Sequence, residues 1–432
     1  MKQFYRVLLN TLIANITTSF LWFALTFWVY LETKSVLATG IVGGSYMLMV
    51  ALCSIWFGTI VDHQKKKRVM VLSSVVTFIA FGLAGLLYLL LPTKEILNIG
   101  GPLFWLFTGV ILAGGVVEQM RNIALSTVVT IMVDKEQRAN ANGLVGTVQG
   151  VGFIITSVFS GMAIGFFGMG WTLLIAIALT GIALLHLLVA VTIPEKGIEH
   201  DPELAHKKVD IKGSMAAIRV VPGLIALIFF STFNNLIGGV YMALMDPYGL
   251  TLFSVQMWGI VFGIASTGFV IGGIAIAKFG LGKNPLRTLL LMTAGMGLIG
   301  ALFTIREWWL LYAVGIWVYM CMVPTIEAAE QTIIQRVVPL KRQGRVFGFA
   351  QAVEAAAAPV TAFIIAPIAQ YGIIPYMNSP DGRERFEWLL GHGEARGIAL
   401  VFLVAGLAMT LISLLALRTR SYRILSDHYR TT

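Results

Sequence analysis

Residues 58–91 read GTIVDHQKKKRVMVLSSVVTFIAFGLAGLLYLLL. From Val69 to Leu91 there is no charged residue. As a helix rising 1.5 Å per residue, that stretch is long enough to cross the roughly 30 Å of hydrocarbon in a bilayer. Four consecutive cations, Lys65 to Arg68, stand at its start. An apolar run of this length with a basic cluster at one end is a membrane span with a solvated anchor. Lipid offers an unpaired backbone group no partner, so the span must be a helix.

The same alternation of apolar run and polar break fills the chain. Spans are expected at 7–31, 36–61, 69–91, 103–130, 140–166, 171–193, 222–245, 255–278, 285–305, 308–334, 346–374 and 397–417, twelve transmembrane helices in an all-α membrane protein. Composition agrees, since 57% of the 432 residues are hydrophobic and 12% charged, against roughly 25% charged in a soluble protein. The short basic start, Met1 to Arg6, precedes the first run without a small-residue cleavage site, so that run reads as a retained helix. Cys53 and Cys321 lie inside apolar runs and read as packing residues, with no disulfide and no metal site.

The net charge of +10 could suggest nucleic acid, but its placement argues otherwise. With the amino terminus in the cytoplasm, the cytoplasmic segments hold 24 Lys and Arg. The outer ones hold six: Lys34, Lys94, Arg306, Arg383, Arg385 and Arg396. This is the positive-inside pattern, and it puts both termini in the cytoplasm. Anionic lipid headgroups are the expected partners of the excess charge. No basic run is interleaved with aromatics as a nucleic-acid groove requires.

The polar stretch Pro194–Arg219 divides the spans six and six, giving halves at 1–193 and 220–418, a linker at 194–219 and a tail at 419–432. Shifting by 205 residues lays Ser126–Gln149 over Gln331–Glu354 without a gap. Thr127, Val133, Gly143 and Val148 then coincide with Thr332, Val338, Gly348 and Val353. In both copies a polar-studded helix meets a short charged turn, and a helix rich in small residues follows. Two repeated six-helix halves are the layout of a parallel-repeat transporter, whose site lies between them.

The stretch Gly58 to Arg68 has a Gly, three residues, Asp62, then a basic cluster. It resembles the signature between helices two and three of the major facilitator superfamily, with His63 in place of the usual Arg and Lys65 in place of the usual second Gly. Its second-half counterpart, Lys278 to Arg287, keeps the basic residues without the Asp. The turn Pro339-Leu-Lys-Arg-Gln-Gly344-Arg345-Val346-Phe347-Gly348 is similar to the one before helix eleven in the drug-efflux branch that includes macrolide exporters. The resemblance implies a conformational-switch role for Gly58, Asp62, Lys66, Lys67, Gly344 and Arg345. It also implies a bacterial cytoplasmic membrane and export. Where such exporters often carry Gly-Pro in helix five, this chain has Gly150, Gly152 and Gly161 and no proline.

Charges at bilayer depth cost about 2.5–3.5 kcal/mol each on insertion scales, so they mark function or pairing. Span four carries Glu118 and, three residues on, Arg121, which suits an ion pair. Glu118, Asn122, Ser126 and Thr130 recur every fourth residue as one polar stripe. Arg121 also resembles the helix-four arginine of proton-coupled exporters, although the Gln-Gly that commonly follows is replaced by Asn122-Ile. In the second half Glu327, Gln331 and Gln335 form a line, with Glu330 beside it and Glu354 on span eleven. No cation lies at midplane depth there, so these carboxyls should not all ionise together. Proton coupling or substrate binding is therefore expected of Glu118, Arg121, Glu327, Glu330 and Glu354. Asn15, Ser19, Trp22, Asn122, Asn234, Asn235 and Gln331 are expected to line a cavity, the alternative being hydrogen bonds between helices. His186 stands alone and reads as a packed histidine.

The expected function is proton-coupled efflux of amphipathic, drug-like compounds by a monomer. Its partners are the small-molecule substrate, protons and lipid, with no cofactor and no nucleic acid. Export or flipping of a lipid or siderophore, or nutrient uptake, would use the same fold. A membrane-embedded enzyme or a non-transporting receptor is a different class. The chain has no Gly-x-x-x-x-Gly-Lys-Ser/Thr, His-Glu-x-x-His or Gly-x-Ser-x-Gly motif to support an enzyme.

Overall fold

The computed structural model describes residues 2–33, 36–195, 211–253, 255–391 and 395–431, and among these there is no strand. Most of the expected linker, 196–210, lies outside the described residues, as does Lys34. In the first part of the chain the helices are α1 (Lys2–Thr33), α2 (Val36–His63), α3 (Lys66–Leu90), α4 (Thr93–Ile96), α5 (Pro102–Met132) and α6 (Arg138–Ala190). Then come α7 (Ile211–Val220), α8 (Leu224–Leu252), α9 (Val255–Phe279), α10 (Pro285–Leu302) and α11 (Trp309–Val337). The last are α12 (Leu340–Ile368), α13 (Ile374–Asn378), α14 (Pro380–Leu390), α15 (Arg396–Ala416) and α16 (Arg420–Thr431).

Eleven of these helices are long and apolar enough to cross a membrane. The 53 residues of α6 would span about 80 Å, far more than one crossing needs. Gly168 breaks it, with φ at +72° and ψ at 178°, a conformation open to glycine and strained for other residues. The break falls between the expected runs 140–166 and 171–193, so α6 serves as two crossings. Large apolar side chains on the outer faces are exposed, Leu89 at 80% and Val189 at 79%, as lipid-facing positions should be.

Cap chemistry explains where several helices begin. Asn284 accepts from Arg287 N at 3.2 Å and Pro285 occupies the first position of α10. Ser379 and Pro380 repeat the arrangement at α14, where Ser379 Oγ accepts from Gly382 N at 3.2 Å. The sequence reading treated 378–396 as a polar connection and 419–432 as a tail. Among the described residues both contain a helix. The tail helix α16 buries Leu425, Ser426 and Tyr429.

Two compact units emerge. The first comprises Met1–Arg138, Val151–Ala217 and Val338–Ala352, and the second Ala139–Gly150, Ile218–Val337 and Val353–Thr432. The first is built on a core that includes Trp28, Phe81, Phe104 and Phe107, with Trp28 and Phe107 edge-to-face at 5.7 Å. The second holds a tyrosine-rich core in which Tyr241 stacks on Phe402 at 5.0 Å and Tyr248 meets Tyr312 at 4.7 Å. Buried hydroxyls there find acceptors, Tyr312 donating to Met245 O at 2.6 Å. Arg396, expected as an outer surface charge, is instead buried at 3% exposure. It donates to Tyr248 Oη at 2.6 Å and to Thr304 O at 3.0 Å, and pairs with Glu307 at 3.6 Å.

Candidate functional site

In the first unit α5 carries the expected ion pair. Glu118 Oε1 lies 3.4 Å from Arg121 Nε, and both side chains are almost completely buried. Glu118 Oε2 also accepts from Ser73 Oγ at 3.1 Å. Arg121 donates through Nη1 to Ser74 Oγ at 2.8 Å and through Nη2 to Asn10 Oδ1. Asn10 in turn donates to Ala183 O at 2.7 Å and meets His186 Nδ1 at 3.2 Å. The pair thus ties α1, α3, α5 and the far half of α6 together inside one unit. His186 is half-buried, with Asn10 as its polar neighbour. Ser73, Ser74 and Asn10 were missed by sequence reading. The adjacent serines in the otherwise apolar run of α3 were the available signal.

The stripe expected along α5 divides. Glu118 is buried, whereas Asn122, Ser126 and Thr130 are half-buried. Asn122 turns to Gln119, donating to its Oε1 at 3.0 Å.

Of the residues expected to act as a switch, Gly58, Asp62, Gly344 and Arg345 meet within the first unit. Asp62 accepts from Gly344 N at 2.7 Å and from Arg345 N at 3.0 Å, while Arg345 Nε sits 3.9 Å from the same carboxylate. Asp62 and Arg345 are each 1% exposed. The approach needs glycine. A Cβ on Gly348 would stand 2.8 Å from Gly58 Cα, and one on Gly344 2.7 Å from Gly58 O. Lys66 is near enough to Asp62 to act on it electrostatically, but it and Lys67 bond to residues 188–195. Glu195 accepts from Lys66 N at 2.8 Å, capping α3 with a carboxylate where helix N–H groups are free. Lys67 Nζ donates to Leu188 O at 3.2 Å. Glu195 was not legible as a cap because it lies 129 residues from its partner.

In the second unit α11 carries a graded line. Glu327 is exposed, Gln331 half-buried and Gln335 buried. Asn142 donates to Gln335 Oε1 at 2.9 Å and to Thr332 Oγ1 at 2.8 Å, and receives from Gln335 Nε2 at 3.3 Å. Gln335 is therefore a helix-to-helix fastener. Glu330 is buried, and it lies near enough to Glu354 and Glu327 for the three to act electrostatically on one another, with Ser231 close by. Glu330 and Glu354 each leave one carboxyl oxygen without a hydrogen-bond partner. Asn234 and Asn235 are half-buried on α8, Asn235 donating to Ser231 O at 3.0 Å. Asn15, Ser19 and Trp22 are half-buried on α1.

A chain with no strand among its described residues and with helices enough for about a dozen crossings is a polytopic membrane protein. Residues 7–362 match the model of the Major Facilitator Superfamily, and the chain belongs to that family. No curated protein sequence matches it significantly. Solved structures share the fold at low identity. The human organic anion transporter MFSD10 (TETRAN) superposes with a TM-score of 0.65 at 12% identity, covering 98% of both chains. A bacterial homologue of the iron transporter ferroportin, in an outward-facing state, gives 0.69 at 13%, covering 97% of this chain and 100% of that one. The proton:xylose symporter XylE gives 0.68 at 12%, covering 97% and 96%.

Proposed function

We propose that the chain is a proton-coupled exporter of amphipathic, drug-like compounds, cationic ones among them. It would sit in a bacterial cytoplasmic membrane with both termini in the cytoplasm and work as a monomer. The observation that carries the reading is the nearness of Glu327, Glu330 and Glu354, which act electrostatically on one another and are in no ion pair among the described residues, with one oxygen each of Glu330 and Glu354 buried without a hydrogen-bond partner. Two adjoining carboxyls can hold one proton between them, and can release it to a cation that takes its place. Glu118 has Arg121 as a permanent counter-charge and supports the bundle instead. In this reading the halves 1–193 and 220–418 are the moving bodies, and Asp62 with Gly344 and Arg345 favours one of their states.

The test is transport by the purified protein in liposomes with an imposed proton gradient. Gradient-driven accumulation of tetraphenylphosphonium is expected, with Glu330→Gln and Glu354→Gln abolishing the response to the gradient while the folded protein is retained. Variants that accumulate the cation with the wild-type gradient dependence would sink the proposal.

A further inference from the structure

Gln119 follows Glu118 directly, yet it joins a wholly neutral group. Its Nε2 donates to Tyr46 Oη at 2.9 Å, and its Oε1 accepts from Asn122 Nδ2 at 3.0 Å and from Gln351 Nε2 at 2.9 Å. The Tyr46 ring lies against Trp22, centroids 5.5 Å apart. All five residues are half-buried and all belong to the first unit. The Gln119 amide is held at both ends, so its orientation is set by its neighbours. Two polar atoms of the group are nevertheless buried without a hydrogen-bond partner: the Trp22 Nε1–H, a donor, and Asn122 Oδ1, an acceptor.

A group that served only to fasten helices would use up its donors and acceptors, because each one left unmade in a buried place is costly. Here the fastening bonds converge on Gln119, and the idle donor and acceptor lie on the residues at either end of the chain of contacts. We infer that Trp22, Tyr46, Gln119 and Asn122 form a neutral recognition subsite for an uncharged group that both accepts and donates, an amide above all, lying against the Trp22–Tyr46 rings. Aromatic faces with a few placed polar atoms are what orient a small molecule. Gln119 and Gln351 act as positioning residues. The inference rests on the export reading and adds to it an uncharged hydrogen-bonding feature of the substrate, separate from the cation read by the glutamates.

The test uses the full-length purified protein and three probes. N-benzylbenzamide offers an amide between two rings, benzyl benzoate is its ester analogue without the N–H, and tetraphenylphosphonium is a cation with no hydrogen-bonding group. Wild-type protein should bind the amide about tenfold more tightly than the ester, the scale of one buried hydrogen bond. Asn122→Ala should bring the two within about twofold. Trp22→Phe keeps a ring and loses the donor, and should weaken both neutral probes. Tetraphenylphosphonium binding should weaken less than amide binding in each, and a monodisperse elution profile with wild-type helical content reports intact folding. No amide preference in the wild type, a preference that survives Asn122→Ala, or an equal loss of all three probes would overturn the subsite. Binding of the amide without the phosphonium sinks the cation reading alone. Binding of the phosphonium without the amide sinks the subsite alone.

Discussion

Glu118 and Glu330 are both glutamates within membrane-length helices, and their neighbours surround them differently. Glu118 has Arg121 at 3.4 Å and Ser73 at 3.1 Å. Replacing it by Gln strands a guanidinium that is 0% exposed, and removing one partner of a buried pair costs about 3–5 kcal/mol. Glu118→Gln should therefore lower the thermal unfolding temperature of the detergent-solubilised protein, and adding Arg121→Met should recover part of the loss. A Glu118→Gln protein as stable as wild type would mean the pair contributes nothing net. Asp62 presents a different expectation. Asn in its place keeps one acceptor oxygen for two backbone donors and loses the charge facing Arg345. Charge-assisted bonds are worth about 1.5–3 kcal/mol. Asp62→Asn should fold and insert yet turn over substrate at least about tenfold more slowly, as measured in liposomes. Wild-type turnover in a monodisperse Asp62→Asn protein would remove Asp62 from the switch.

Helices in lipid gain little from apolar contact alone, so close approach of small residues decides which of them cross tightly. The start of α12 meets α2 at Gly58, Gly344 and Gly348. The start of α6 meets α9 in the same way, where a Cβ on Gly143 would stand 2.6 Å from Ala277 N and one on Gly150 2.7 Å from Phe269 Cβ. Gly143 and Gly348 are also the glycines that the 205-residue repeat superposes. Their crossings differ in polarity: Asp62 accepts backbone N–H groups in one, while Asn140 donates to Ala277 O at 2.8 Å in the other. Gly348→Ala should cost about 1–3 kcal/mol from overpacking, whereas Gly161→Ala, with nothing within 4 Å, should be neutral or stabilising. Thermal unfolding of the two variants side by side checks this, and equal tolerance would refute the crossing argument. The tail helix α16 yields a further expectation. Asn284 Nδ2 donates to Ser426 Oγ at 2.8 Å, and Arg336 stacks 4.6 Å over the Tyr429 ring. Ending the chain at Thr419 should uncover Gly223, Leu227 and Leu290 and lower the unfolding temperature. An unchanged value would make α16 an unattached appendage.

For the whole molecule, the distribution of 24 against six cations is a prediction about sidedness. In a variant lacking Cys53 and Cys321, Arg430→Cys should react with a membrane-impermeant maleimide only from the cytoplasmic side. Glu384→Cys should react only from outside. Labelling of Arg430→Cys in intact cells would reverse the topology and with it the direction assigned to transport.

The number and place of the crossings were legible in the chain because they depend on local facts: runs of apolar residues, polar breaks and clustered cations. The Glu118–Arg121 pairing was equally legible, since a three-residue spacing on a helix puts two side chains on one face. The close approach at Gly58 and the special place of Asp62 were visible through a resemblance, not through their partners. What only the tertiary structure decided depends on residues far apart in sequence. Asp62 finds Gly344 across 282 positions, Glu195 caps a helix begun 129 residues earlier, and Gln351 reaches Gln119 across 232. The polar stripe on α5 illustrates the limit. A period of four aligned Glu118 with Asn122, but 3.6 residues per turn carries such a line around the helix. Glu118 accepts from Ser73 on α3, whereas Asn122 donates to Gln119 on its own helix. Sequence supplies a helix with its inventory of side chains, and the neighbours that surround each face decide which of them are paired.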